Sequence, residues 1–278
     1  MPSLVVGSTS QLARYLPRDF IHISSRDIDT AALRRTEWDD VYICFAEQRT
    51  YLASDPSDDV RGMFHHTNVE KTLEVIDALH PVCRKILYFS TAELWNARSG
   101  PVHPSDGYAF HRNHYTESKE RISLILRDKS RYPKVSVAYP FNFNSVHRGG
   151  QYLFGKIFGS ILKETPVTVG DLDYYREMLH PTMIATAAVE SARADPLGTD
   201  LVIGSGRLIH VGDFIRRLYL RFGMDMDKMA TSDPINPPSP SIYRKCLFYS
   251  HRRDPRFSED SLINLLVYEL STIKEFST

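Results

Sequence analysis

The run Ile86-Leu-Tyr-Phe-Ser-Thr-Ala-Glu-Leu-Trp95 and, downstream of it, Tyr115-Thr-Glu-Ser-Lys119 decide how this chain is read. Ile86–Phe89 is a continuous apolar run, as expected of a strand buried on both faces. It leads into Ser90 and Thr91, so a hydroxyl is expected at the carboxyl end of a buried strand. Tyr115–Leu126 has helical periodicity, with Ile122, Ile125 and Leu126 facing inward. Tyr115 and Lys119 are one turn apart on that helix and share a face. A cation beside a phenol favours phenolate and lowers the tyrosine pKa from about 10. Tyr115 is then able to exchange a proton with a substrate hydroxyl or carbonyl near neutral pH, with Thr91 sharing the substrate oxygen. The spacing alone says little, because it recurs at Tyr152 and Lys156, where a plain amphipathic helix is sufficient. The preceding strand and its Ser/Thr end set the first pair apart.

Outward from this centre, short apolar runs alternate with helical patterns. Strands are expected at Leu4–Val6, Phe20–Ile23, Val41–Phe45 and Val135–Tyr139. Helical stretches are expected at Gln11–Leu16, Asp29–Arg35 and Val69–Leu79. This alternation predicts an α/β protein of the doubly wound kind, with right-handed crossovers and a parallel sheet covered on both sides. After Asn144 the rhythm changes. Helices are expected at Tyr152–Leu162, Met183–Ala192, Val211–Phe222 and Ser261–Leu270, and strands at Pro166–Val169 and Leu201–Ile203. A proline-rich loop, Asp233-Pro-Ile-Asn-Pro-Pro-Ser-Pro-Ser, precedes the last region.

The segment Gly7-Ser-Thr-Ser-Gln-Leu-Ala13 follows the first strand, where a dinucleotide pyrophosphate meets backbone N–H groups and a helix N-terminus. Of the usual three glycines only Gly7 is present; Ser10 and Ala13 hold the other two positions. An ordinary strand–turn–helix is the competing reading. If the site is real, Gly7, Thr9, Ser10, Gln11 and Leu12 contact the cofactor. After the second strand, Ser25 and Arg26 suit the 2′-phosphate of NADP better than the ribose of NAD, while Asp27 points the other way.

The 278 residues allow one large domain or two small ones, and a 42% hydrophobic content supports a packed core. Thirty-four basic residues balance 34 acidic ones, which gives no electrostatic reason to expect nucleic-acid or membrane-surface binding. Cys44, Cys83 and Cys246 are scattered and odd in number, without metal-ligand spacing or a disulfide framework. No metal is expected. No apolar run approaches the length of a membrane span, and the first residues do not read as a signal peptide. A cytoplasmic protein is expected.

Taken together, these segments resemble the extended short-chain dehydrogenase/reductases over about residues 3–222, and within them the GDP-mannose 4,6-dehydratases. Phe45-Ala-Glu-Gln-Arg-Thr is similar to that family's loop after the fourth strand, and Asn68-Val-Glu-Lys-Thr-Leu to the start of its next helix. Ser90-Thr-Ala-Glu-Leu is similar to its Ser-Thr-Ser-Glu-Leu. Phe141-Asn-Phe-Asn, Arg148-Gly-Gly, Gly170-Asp-Leu-Asp and Arg176-Glu-Met-Leu-His180 resemble its sugar-nucleotide segments. The resemblance implies a Rossmann-type sheet over residues 1–145, receiving also about 178–204, and a smaller, interleaved substrate domain over 146–278. It implies catalysis by Thr91, Glu93, Tyr115 and Lys119, with Glu93 as the base for the sugar C5 proton. It adds Phe45 and Ala46 to the cofactor site, which takes NADP in preference to NAD, with Lys119 on the ribose. Asn142, Arg148 and Arg176 would bind the substrate, a nucleotide-diphosphate sugar. A homodimer through the helices at Val69–Leu79 and Tyr115–Leu126 is implied as well.

Three features depart from the family pattern. The phosphate loop lacks two glycines, Ala92 stands where the dehydratases have Ser or Asp, and the head is short, as in dTDP-4-dehydrorhamnose reductases. A 4-epimerase, a 4-keto reductase and a non-catalytic scaffold on the same fold are the alternatives.

Overall fold

The computed structural model describes residues 1–232 and 247–277, so the proline-rich loop and Cys246 lie outside the described residues. The chain forms two compact units: Met1–Trp95, His103–Pro140 and Ile184–Ile203 in the first, and Asn96–Val102, Phe141–Met183 and Gly204–Thr278 in the second.

The first unit is built on a six-stranded, wholly parallel sheet. From one edge to the other its strands are Ile21–Ile23, Leu4–Val6, Trp38–Ile43, Cys83–Phe89, Val135–Pro140 and Leu201–Ile203. The inner strands are buried on both faces, which explains their unbroken runs of Val, Ile, Leu and Tyr. In register, Val6 faces Ile43, Ile43 faces Tyr88 and Tyr88 faces Val137, so Tyr88 lies in mid-sheet. The chain moves outward from the first strand to the second, then crosses to the first strand's other side. That places a topological switch point between Leu4–Val6 and Trp38–Ile43, where open α/β sheets leave a crevice at the carboxyl ends of the strands.

Two helical expectations change. Gln11–Leu16 is not a helix; only Ala13–Tyr15 makes a single 3-10 turn. The cause is Pro17, which holds the preceding residue extended: Leu16 has φ −72° and ψ 154°. The helix read from Val69 instead starts at Asp58, continuing through a π-helical turn at His66–Glu70 into Lys71–Leu79. Ser57 caps its start by accepting the Val60 N–H, and Asp58 and Asp59 sit in its first turn, where the dipole favours acids. His114–Leu126 starts on a reciprocal capping box in which Asn113 accepts from the Thr116 N–H and the Thr116 side chain accepts from the Asn113 N–H. That cap fixes the turn carrying Tyr115.

Among the described residues the second unit holds four short two-stranded ladders and the helices Leu153–Lys163, Val211–Leu220 and Glu259–Ser277. Phe154 packs on Phe158 and on Phe214, with ring centroids 5.9 Å apart in each pair. Asn142–Phe143 runs parallel to Met178–Leu179, and Tyr175–Arg176 pairs antiparallel with Ile209–His210. Among the described residues no helix is long and apolar enough to cross a membrane.

Candidate active site

The carboxyl end of strand Cys83–Phe89 and the first two turns of helix His114–Leu126 meet in the first unit. Ser90 and Ser123 hydroxyls bond at 2.7 Å, locking strand end to helix. Thr91 is buried, and its Oγ1 accepts the Glu93 N–H at 3.2 Å, which leaves the hydroxyl hydrogen available to a substrate oxygen. Glu93 is half-buried on the 3-10 turn Ala92–Trp95. Tyr115 is half-buried with its ring edge against Phe64, centroids 6.3 Å apart.

Lys119 is 1% exposed. Its Nζ donates to the Tyr88 hydroxyl at 2.9 Å and to the Phe89 carbonyl at 3.1 Å, and sits 4.9 Å from the centre of the Tyr88 ring. Burial pushes the Lys119 ammonium down to about 7. The cation expected to favour a Tyr115 phenolate therefore itself titrates near neutrality. Burial also raises the Tyr88 phenol, with Tyr115 the next contributor, so both phenols belong to one electrostatic neighbourhood.

Asn68 had no role in the sequence reading beyond its place in a resembling segment. It is fully buried on the π-helical turn, where its Oδ1 accepts the Glu47 N–H at 2.7 Å. Its Nδ2 donates to the Glu47 carbonyl at 3.3 Å and to Ser118 Oγ at 2.9 Å. Asn68 thus joins the loop after Trp38–Ile43 to helix His114–Leu126. Nothing in its own element marks it, because its helical neighbours Lys71 and Thr72 are polar and its partners Glu47 and Ser118 lie far along the chain.

At the switch point, Gly7 has φ 97°, and a Cβ there would lie 2.7 Å from the Phe45 nitrogen. Gly7 is therefore required by the close passage of Phe45 and by its own left-handed backbone. The Gly7 and Ser8 amides bond the Ile23 carbonyl, and Ser10 Oγ accepts the Ala13 N–H at 3.1 Å. Ser10 thus meets the first N–H of the 3-10 turn, and a single 3-10 turn, with no α-helix dipole, stands behind this loop. Thr9 is exposed, Gln11 half-buried and Leu12 buried; beside them Phe45 is buried and Ala46 half-buried. Ser25 is half-buried, and exposed Arg26 has no acidic partner among the described residues. A dinucleotide fits these residues at two points: Arg26 for a 2′-phosphate, and the third Lys119 N–H, which has no acceptor among the described residues, for a ribose hydroxyl. It lacks the helical anion site usual at a third.

The residues that the sequence suggests for the substrate, Asn142, Arg148 and Arg176, lie in the second unit. Asn142 is in register with Met178, two residues beyond Arg176. Arg176 is 8% exposed, with its guanidinium 5.4 Å from the Tyr174 ring centre and a bond to the Tyr175 carbonyl at 3.1 Å. Arg148 stacks on Tyr152 at 3.9 Å. Tyr152 is the N-cap of Leu153–Lys163 and Lys156 is exposed, as a structural pair would be.

No protein-family model matches the chain, and no curated protein matches it. Solved structures do. The RMD protein of Pseudomonas aeruginosa, in complex with NADPH, is 15% identical, covers 98% of this chain and 100% of its own, and superposes with a TM-score of 0.78. The fold is that of the extended short-chain dehydrogenase/reductases. A UDP-glucose 4-epimerase of Thermotoga maritima with UDP-glucose has the same fold at 15% identity, 98% and 99% coverage, and a TM-score of 0.78. DesIV of Streptomyces venezuelae, a dTDP-glucose 4,6-dehydratase with NAD, matches at 16% identity, 99% and 98% coverage, and a TM-score of 0.75. In this fold Thr91 follows the end of strand Cys83–Phe89, and Tyr115 and Lys119 lie in the first two turns of helix His114–Leu126, with Lys119 bonded to the Phe89 carbonyl at that strand end.

Proposed function

We propose that the chain is an NAD(P)-dependent enzyme acting on a nucleotide-diphosphate sugar, oxidising the sugar at C4 in the manner of a 4,6-dehydratase. The observation that carries this reading is the joining of Thr91, Tyr115 and Lys119 at one strand end and one helix start, on a fold whose solved relatives include nucleotide-sugar epimerases and dehydratases. Tyr115 takes the proton of the C4 hydroxyl and Thr91 donates to the same oxygen. Glu93 removes the C5 proton. Asn142, Arg148 and Arg176 hold the diphosphate through amide and guanidinium donors. When bound, a nicotinamide cofactor supplies hydride acceptance at C4 and return at C6. Gly7, Thr9, Ser10, Gln11, Leu12, Phe45 and Ala46 line its place, Ser25 and Arg26 meet the 2′-phosphate, and Lys119 holds the ribose. Ala92 offers no acid to the departing C6 hydroxyl, which favours a 4-epimerase or 4-keto reductase as the second reading.

The chain is further proposed to act as a cytoplasmic homodimer. Buried, free Cys44 and Cys83 support a reducing compartment. The outward faces of the helices at Asp58–Leu79 and His114–Leu126 support the dimer, with Leu124 54% exposed.

Titration with NADP(H) and NAD(H), read by nicotinamide fluorescence, is the first test; absence of binding in a folded sample leaves only the scaffold reading. Arg26→Ala is expected to weaken NADP(H) binding by roughly 10- to 100-fold while leaving NAD(H) unchanged, since a charged hydrogen bond contributes about 1.5–3 kcal/mol. Equal loss for both dinucleotides would remove Arg26 from the phosphate site. On an active nucleotide sugar, Glu93→Gln separates the two chemistries. C4 oxidation is expected to persist while elimination falls by roughly 10²–10⁴-fold, and undiminished elimination rules Glu93 out as the base.

A further inference from the structure

Lys119 reaches its place by a route that the sequence pattern does not require. Tyr88 projects from mid-sheet and is completely buried, in a strand that reads as core throughout. Its hydroxyl is one of two acceptors for the Lys119 ammonium, the other being the Phe89 carbonyl on the same strand. An ammonium has three hydrogens, and one is left without an acceptor among the described residues. A buried cation so held depends strongly on each remaining acceptor. A phenylalanine at position 88 would fill the same volume and leave the carbonyl alone.

Resting on the cofactor reading above, we propose that Tyr88 is a positioning residue for Lys119: its hydroxyl holds the ammonium so that the free N–H is presented to the ribose. The groups around the pair are few. Tyr115 comes from the same helix as Lys119 and Tyr108 from the segment before it, and the turn Ala92–Trp95, which carries Glu93, packs on that helix without Glu93 acting on either group. No carboxylate contributes to the Lys119 shift, which burial alone produces. Among the described residues the Tyr88 hydroxyl is the one side-chain acceptor that the Lys119 ammonium has, beside the Phe89 carbonyl.

The test is the pH dependence of NADPH affinity in the wild type, Tyr88→Phe, Lys119→Met and the double variant. In the wild type, affinity is expected to fall about tenfold per pH unit above the lysine midpoint near 7. In Tyr88→Phe the midpoint is expected to move acidic by roughly one unit or more, because a hydrogen bond to a charged group is lost. Titration of the cofactor's own phosphate is common to all the proteins and cancels in the comparison. In the Lys119→Met background, Tyr88→Phe is expected to change nothing further.

An unmoved midpoint in Tyr88→Phe, or an equal loss in the Lys119→Met background, overturns the proposal and makes Tyr88 packing alone. If Tyr88→Phe fails to fold, the proposal requires the double variant to fold, since it removes the poorly solvated ammonium; an unfolded double variant overturns it too. Absence of NADPH binding in the wild type is a different result and defeats the cofactor reading itself.

Discussion

Tyr115→Phe is expected to slow hydride transfer from a bound nucleotide sugar by roughly 10²–10⁴-fold, the usual contribution of a positioned general acid–base. NADP(H) affinity should stay within about twofold of wild type, because no contact assigned to the cofactor involves the phenol oxygen. The variant should also fold. The Tyr115 ring packs edge-on against buried Phe64, a contact that Phe preserves, and the helix start is fixed independently by the Asn113–Thr116 capping box. Single-turnover absorbance of the nicotinamide band reads the rate directly. Lys119→Met is the companion variant, and it should lose both rate and cofactor affinity. A Tyr115→Phe protein that transfers hydride at the wild-type rate removes Tyr115 from the chemistry, and with it the observation on which the proposed function stands.

How far the sequence could be read depended on how local each determinant was. Val41–Ile43, Ile86–Phe89 and Val135–Tyr139 were legible because a strand covered on both faces carries an uninterrupted apolar run, and all three lie in the interior of the sheet. Tyr115 and Lys119 were legible for the same reason: a helical turn fixes their spacing by itself. The turn after Gly7 was misread because the apolar spacing of Leu12 and Leu16 suits a helix, whereas Pro17 forces Leu16 out of one. The helix start at Asp58 was missed because its first turns bury only Phe64 and rely on the Ser57 cap. Tyr88 and Asn68 were beyond reach for a different reason. Each looks unremarkable within its own element, and each acquires its role from partners far along the chain: Lys119 for the first, Glu47 and Ser118 for the second.

Glu177 is the strongest case of that kind, and it carries the largest expected effect on stability. In the sequence it follows Arg176 and reads as one more charge in a substrate segment. In the fold it is 1% exposed, deep in the second unit. Its Oε1 accepts the Gly206 N–H at 2.7 Å and its Oε2 accepts the Ser250 N–H at 2.6 Å. A Cβ on Gly204 would lie 2.1 Å from Oε1, so glycine is needed there for the carboxylate to fit. One side chain thus ties the Tyr175–Arg176 segment to the loop at 204–206 and to the strand Phe248–Ser250.

Burial outweighs these bonds and raises the Glu177 carboxyl from 4.5 to about 7. A raised carboxyl pKa means that the folded state holds the proton more tightly than the unfolded chain. Its contribution to stability is therefore fully present below about pH 4.5 and is lost as pH rises to about 7, an order-of-magnitude change of about 3 kcal/mol. Denaturant unfolding of the wild type at a series of pH values, followed through amide exchange at Gly206 and Ser250, should show that loss. In Glu177→Gln the same loss should be absent, because the side chain no longer titrates. That variant should also be weaker at acidic pH by about 1–3 kcal/mol, since its amide nitrogen faces a backbone N–H that needs an acceptor. Glu177→Ala, which leaves both N–H groups unmet, should lose about 3–5 kcal/mol. A pH dependence identical in the wild type and Glu177→Gln would show that the Glu177 carboxyl titrates in the fold where it does in the unfolded chain, its backbone donors balancing burial, and a loss of stability as pH falls would show that those donors outweigh burial.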